Sequence, residues 1–266
     1  MDHLAPGGPR EIGAGFAKAN PANHRTPQAK LSSHEPVDVD ATSDDIASKL
    51  PGCHRVTRLA VERLDLDGKE IWNTRVGDNT RGWGSSNSPL LHENLVIINA
   101  SIESGALVAL DKETGKEVWR SGGIRGSWNT PLLAKTAEGK TELVVSIPEK
   151  ILGFDPSTGE QLWQCVGIPD RGYVCPSVVA DKGIVYAIGG RKNTALAVRT
   201  GGRGDVTESH RLWITDKGSN VCSPVYFEGH LYWVHERSGT ANCLDAKTGE
   251  VKFQQRLEPR PGIVYS

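Results

Sequence analysis

Leu110-Asp111-Lys112-Glu113-Thr114-Gly115-Lys116-Glu117-Val118-Trp119 is the stretch from which the rest of the chain can be read. An apolar strand runs into Leu-Asp. The Asp carboxylate can bond the backbone two residues on and start a turn, and Gly supplies a positive φ without strain. A second strand then carries Val and Trp. The same unit returns as Phe154-Asp155-Pro156-Ser157-Thr158-Gly159-Glu160-Gln161-Leu162-Trp163 and as Leu244-Asp245-Ala246-Lys247-Thr248-Gly249-Glu250-Val251-Lys252-Phe253. A shorter copy is Leu66-Asp67-Gly68-Lys69-Glu70-Ile71-Trp72, and a stretched one joins Ala197-Val198-Arg199-Thr200-Gly201 to Leu212-Trp213. The closing aromatics stand at 72, 119, 163, 213 and 253, in steps of 47, 44, 50 and 40 residues.

A second signature precedes each hairpin: Ser88-Pro89-Leu90-Leu91, Thr130-Pro131-Leu132-Leu133, Cys175-Pro176-Ser177-Val178 and Ser223-Pro224-Val225-Tyr226. Each leads through a polar or Gly turn to a strand: Leu95–Asn99, Leu143–Ile147, Ile184–Ile188 and Leu231–His235. Four short strands per repeat, with one aromatic each, predict an all-β fold built of four-stranded antiparallel β-propeller blades. A blade cannot bury both faces alone, so blades must stack. Composition agrees: 30 Gly and 15 Pro suit many turns, and 7 Trp against a single Met do not suit a helical core.

The Asp-x-x-Thr-Gly-x-x-x-Trp repeat resembles that of the pyrroloquinoline-quinone (PQQ)-like β-propellers. That family includes quinoprotein dehydrogenases and the lipoprotein scaffold of outer-membrane assembly. The resemblance covers about residues 60–266. It implies that Trp72, Trp119, Trp163, Trp213 and Phe253 dock each blade on the next, with Phe253 departing from the Trp pattern. Complete units fall at about 78–120, 121–164, 165–214 and 215–254. The Trp72 hairpin is the end of an earlier blade, and Arg260–Ser266 the start of a later one. Propellers of this family close with seven or eight blades, so four blades and two pieces imply a partial propeller, a fragment lacking the blades of a longer chain.

Residues 1–55 read as an irregular segment, poor in aliphatics and with one aromatic, Phe16; residues 56–266 form the propeller domain. One short helix is predicted at Asp44–Leu50, capped by Ser43 and ended by Pro51-Gly52. No apolar run near residue 1 has the roughly 7–15 residues of a secretory signal, and none approaches the roughly 20 residues of a membrane span. The resemblance nonetheless implies a periplasmic or other extracytoplasmic location. With 31 Lys+Arg against 32 Asp+Glu the net charge is −1, which argues against nucleic-acid binding.

A cation followed by Gly leads into each first strand: Arg81-Gly82, Arg125-Gly126, Arg171-Gly172 and Lys217-Gly218, with Arg260-Pro261-Gly262 as a fifth. Equivalent blades would place these cations on one face around the central funnel, where a ring of like charge attracts anions and Arg offers two-point contact to carboxylate or phosphate. Trp83, Trp128 and Tyr173 lie beside them and could complete a recognition surface. The alternative is that Gly serves the turn, the cations are solvated and the aromatics pack within the blades. Arg203-Gly204-Asp205 reads as part of a Gly-rich loop rather than an adhesion motif.

The resemblance to quinoproteins also raises PQQ with calcium as a cofactor. Those enzymes use a catalytic Asp, carboxylate and amide calcium ligands and often an adjacent Cys pair. Here the five Cys (53, 165, 175, 222 and 243) include no adjacent pair and no CxxC, and Asp65-Leu66-Asp67-Gly68 lacks the downstream Glu of a calcium loop. The Cys read as small buried hydrophobes, with a Cys175–Cys222 disulfide as the alternative. No metal, nucleophile-elbow or phosphate-loop motif is present. The expected role is therefore non-catalytic: a scaffold of the cell envelope that binds a protein partner or anionic ligand at the funnel face, with no metal and no cofactor. The competing reading is a fragment of a PQQ-dependent alcohol or sugar dehydrogenase.

Overall fold

The computed structural model describes residues 53–264 apart from Arg58, Trp83, Ser85 and Arg260. The helix expected at Asp44–Leu50, the irregular segment up to residue 52, Trp83 and Arg260 therefore lie outside the described residues.

Five sheets follow in chain order, antiparallel throughout except for one short strand added in parallel. The first blade has three strands, β1 (Cys53–Val56), β2 (Ala60–Leu64) and β3 (Glu70–Arg75). The second comprises β4 (Leu90–His92), β5 (Leu95–Ala100), β6 (Ala106–Asp111) and β7 (Glu117–Gly122). The third comprises β8 (Leu132–Lys135), β9 (Thr141–Ile147), β10 (Lys150–Phe154) and β11 (Gln161–Val166). The fourth has β12 (Val179–Asp181), β13 (Ile184–Gly189) and β14 (Thr194–Arg199). It then inserts β15 (Gly204–Asp205) and one short helix, α1 (Thr207–His210), before its outer strand β16 (Arg211–Thr215). The fifth comprises β17 (Val225–Phe227), β18 (His230–Val234), β19 (Thr240–Asp245) and β20 (Val251–Arg256). The four complete blades agree with the repeat count. The first is longer than a closing hairpin, because its strands begin at Cys53.

The repeat turns form for the reason their composition gives. Asp111 Oδ1 accepts hydrogen bonds from the Glu113 and Thr114 amides and from the Thr114 hydroxyl, at 3.1, 2.8 and 2.8 Å. These donors, the Thr114 hydroxyl foremost, hold the Asp111 carboxyl below its ordinary range. Gly115 at φ 71° closes the turn by donating to the Asp111 carbonyl at 2.8 Å. Asp155 and Asp245 repeat the arrangement. Each sheet then slips register at the residue opposite the closing aromatic, between Ala109 and Leu110 for example, and the bulge re-aims that aromatic.

Strand alternation gives the second, third and fourth blades two apolar faces each. In the second blade the row Leu90–Ile97–Ala109–Trp119 crosses all four strands and packs on Val145, Leu152 and Phe154 of the third. The opposite row, Ile98 and Val108, packs on Val61 of the first. The same construction joins third to fourth and fourth to fifth blades, giving four cores between five sheets.

Three closing aromatics meet the next blade alike. The indole N–H of Trp72 donates to the Lys112 carbonyl at 3.1 Å, that of Trp119 to Pro156 at 3.1 Å and that of Trp213 to Ala246 at 3.0 Å. Each ring lies against the turn glycine of that blade. A Cβ added at Gly115, Gly159 or Gly249 would stand 2.6, 2.4 or 2.7 Å from it.

Trp163 differs. It lies over Gly153 of its own blade and donates to Glu142 Oε2 at 2.8 Å. The fourth blade has the stretched turn, and Glu142 bridges the gap by also accepting from the Gly201 amide at 3.1 Å, with Arg203 at 3.8 Å. The inserted β15 adds in parallel to β11, and Val166 donates to the Thr207 hydroxyl at 2.9 Å. Arg203-Gly204-Asp205 is thus held in this staple and is no free loop tip. Phe253 is 46% exposed.

Candidate binding face at the lead-in loops

Antiparallel wiring puts the loops that lead into first strands, and the turns between second and third strands, at one end of every blade. The Asp-x-x-Thr-Gly turns lie at the other. At the first end, neighbouring loops bond directly. Trp128 N–H donates to the Val174 carbonyl at 2.9 Å, and Val174 N–H to that of Gly126 at 2.8 Å. A Cβ at Gly126 would stand 2.6 Å from the Gly172 carbonyl oxygen, so the glycine after Arg125 allows the loops to approach.

Arg81 and Arg125 are exposed on these loops, and Arg171 is 91% exposed. The cations are not equally available. Arg171 lies 3.3 Å from Glu149, and Lys217 lies 3.2 Å from Asp216. Trp128 and Tyr173 meet edge to face with centroids 6.2 Å apart. The Trp128 indole reaches back to the Gly84 carbonyl at 3.0 Å, and the Tyr173 hydroxyl accepts from Asn220 at 3.1 Å. These contacts run from the second blade's loop to the fifth's.

Arg191 is the residue that the repeat did not reveal. It lies in the turn between β13 and β14, with its guanidinium 5.4 Å from the centre of the Tyr173 ring. Its position after Gly189-Gly190, at the same end as the Arg-Gly loops, is the signal that could have found it. Asp170 holds this turn by accepting from the Arg191 and Gly172 amides at 3.0 and 2.8 Å. Burial pushes the Asp170 carboxyl up, but these amides and the Arg191 charge outweigh it and leave its pKa below the ordinary value.

A polar layer fixes the loops from beneath. The buried Asn99 amide donates to Ser127 Oγ at 2.9 Å and to the Asn129 carbonyl at 2.8 Å, while Ser127 Oγ donates to the Ser146 carbonyl at 2.8 Å. Hydroxyls of the Pro signatures link consecutive blades. The Ser88, Thr130 and Ser177 amides donate to Thr130 Oγ1, Ser177 Oγ and Ser223 Oγ at 2.9, 3.0 and 3.1 Å.

Cys175 and Cys222 are not joined by a disulfide. Cys222 Sγ instead contacts the Val264 carbonyl at 3.4 Å. Burial pushes the Cys175 pKa up to about 11. In the native protein at pH 8, alkylation of Cys175 followed by peptide mass spectrometry is expected to run at least about a hundredfold slower than in the denatured chain, since thiolate is the reactive form.

Residues 60–255 match the family described as outer membrane protein assembly factor BamB. The chain belongs to that family. Among solved structures, BamB from Moraxella catarrhalis aligns with a TM-score of 0.58 at 20% identity, covering 78% of this chain and 62% of that one. Quinohemoprotein alcohol dehydrogenase ADHIIG from Pseudomonas putida HK5 aligns at 0.56 and 14%, covering 79% and 41%. The quinohemoprotein alcohol dehydrogenase from Comamonas testosteroni aligns at 0.56 and 14%, covering 79% and 44%. These likenesses show the fold. The chain spans less than two thirds of the length of these proteins. No curated protein shows significant sequence similarity to it.

The dehydrogenase relatives raise the question of a quinone held by a metal. Among the described residues no three His, Cys, Asp or Glu side chains converge as a metal group would require. No helix among the described residues is long and apolar enough to cross a membrane.

Proposed function

We propose that this BamB-family chain is a non-catalytic binding module of the cell envelope, outside the cytoplasm, that holds a protein partner or anionic ligand on its lead-in face. The observation that carries the reading is the continuous Trp128–Tyr173–Arg191 surface, which rests on directly bonded loops and is flanked by exposed Arg125 and Arg171. Arg81 and Lys217 extend the positive rim, and Arg260, Trp83 and the missing blades of a longer chain belong to the same proposal. The aromatic pair supplies rigid apolar area, and the guanidinium groups supply charge-assisted contacts to a carboxylate.

The family description supports the envelope assignment, because it names an outer membrane assembly factor. Replacing both Arg125 and Arg171 with alanine is expected to weaken partner retention in a pull-down at least tenfold without changing the melting temperature. Retention equal to wild type would refute the charged rim.

A further inference from the structure

One corner of the lead-in face is built against its local sequence rule. β9 and β10 pair through Ile147 and Lys150, so Pro148-Glu149 is a two-residue turn, and Glu149 sits at φ 69°. With Pro first and a left-handed residue second, Gly or Asn is the ordinary occupant of the second place. The other complete blades obey. At the same corner the left-handed conformation falls to Gly105 in the second blade, to Gly190 and Asn193 in the fourth and to Gly239 in the fifth. A Glu in this conformation is strained.

Folding does not repay that strain. Among the described residues the partner of the Glu149 carboxylate is Arg171, whose Nε lies 3.3 Å from Oε1, and the two side chains are 55% and 91% exposed. Exposed pairs of this kind add little to stability and are screened by salt. The turn is held by its backbone instead. The Glu149 amide donates to the Ile168 carbonyl at 2.9 Å, and the Glu149 carbonyl accepts from the Gly167 amide at 2.8 Å. A glycine would keep both bonds.

These bonds fix the turn to the lead-in loop of the fourth blade. On its other side, a Cβ at Gly126 would stand 3.2 Å from the Pro148 ring. Glu149 is thus a negative charge set between the Arg125-Gly126 and Arg171-Gly172 loops, which also carry Trp128 and Tyr173.

Resting on the reading of this face as a binding surface, we infer that Glu149 is its specificity-determining residue. It restricts the partner to a polypeptide segment that offers a single carboxylate between apolar side chains, and it turns away phosphorylated or densely acidic segments. Arg125 and Arg171 attract the carboxylate. The aromatic pair accepts the flanking apolar side chains. Glu149 repels each further negative charge, which is how a site rejects the wrong partner. At about 5 Å in salt-screened water each ligand charge loses about threefold in affinity to Glu149, so a doubly charged phosphate loses about tenfold.

NMR titration of the full chain with two probes, N-acetyl-Phe-Asp-Phe-amide and its phosphoserine counterpart, tests this through the Trp128 indole signal. Glu149→Gln, which removes the charge, is expected to bind the phosphoserine peptide about tenfold tighter than wild type and the Asp peptide about threefold tighter. Equal gains, or none, would overturn the inference, while loss of Asp-peptide binding on replacing both Arg125 and Arg171 with alanine would still uphold the face. No shift with either probe in either protein would remove the face and the inference together. Glu149→Gly, which relieves the turn, is expected to melt at or above the wild-type temperature. A lower melting temperature would make Glu149 a structural residue and would also overturn the inference.

Discussion

Replacing Glu142 with alanine is expected to lower stability by about 3 kcal/mol, because it strands the buried Trp163 indole N–H, whose loss of a partner costs about 1–3 kcal/mol, and takes the acceptor from the part-buried Gly201 amide as well. For a chain of this size that corresponds to a fall of roughly 6–12 °C in melting temperature. Glu142→Gln keeps an acceptor oxygen and should lose about 1 kcal/mol. The same carboxylate serves both donors, so Trp163→Phe and Glu142→Ala together should cost less than their sum, by about 1 kcal/mol or more in a double-mutant cycle. Simple additivity would mean that Glu142 is not the bridge between the third and fourth blades.

Gly159→Ala is expected to be as damaging for a different reason. Gly159 has φ 74°, and a Cβ there would stand 2.4 Å from the Trp119 ring. The left-handed backbone costs about 1 kcal/mol for alanine, and forcing the indole aside adds about 1–3 kcal/mol. Gly68→Ala is the internal control. Its φ is 82°, but nothing lies within 4 Å of the added Cβ, so only the backbone penalty of about 1 kcal/mol should appear. Chemical denaturation of both variants measures the difference, and equal losses would remove the indole from the explanation.

Local chemistry made most of this fold legible. The Asp and Gly of each turn mark a hairpin that bonds within itself, and the strands expected to begin at Leu95, Ile184 and Leu231 begin at or within one residue of those positions. Other features depend on residues far apart in the chain. Glu142 acts on Gly201, 59 residues on. β15 adds to β11 across an insertion that reads as a lengthened turn, since parallel pairing leaves no local signature. The lead-in cations were legible as a series, whereas Glu149 beside Arg171 and Arg191 over Tyr173 follow from folding.

Photo-cross-linking in cells tests the proposed lead-in face most directly. A cross-linking residue at position 171 samples the loops, and one at exposed position 116 samples the opposite turns. A discrete adduct from position 171, weakened by Arg125→Ala and not formed from position 116, is the expected result. Adducts from position 116 alone, or from neither position, would contradict the assignment of the lead-in face as the binding surface.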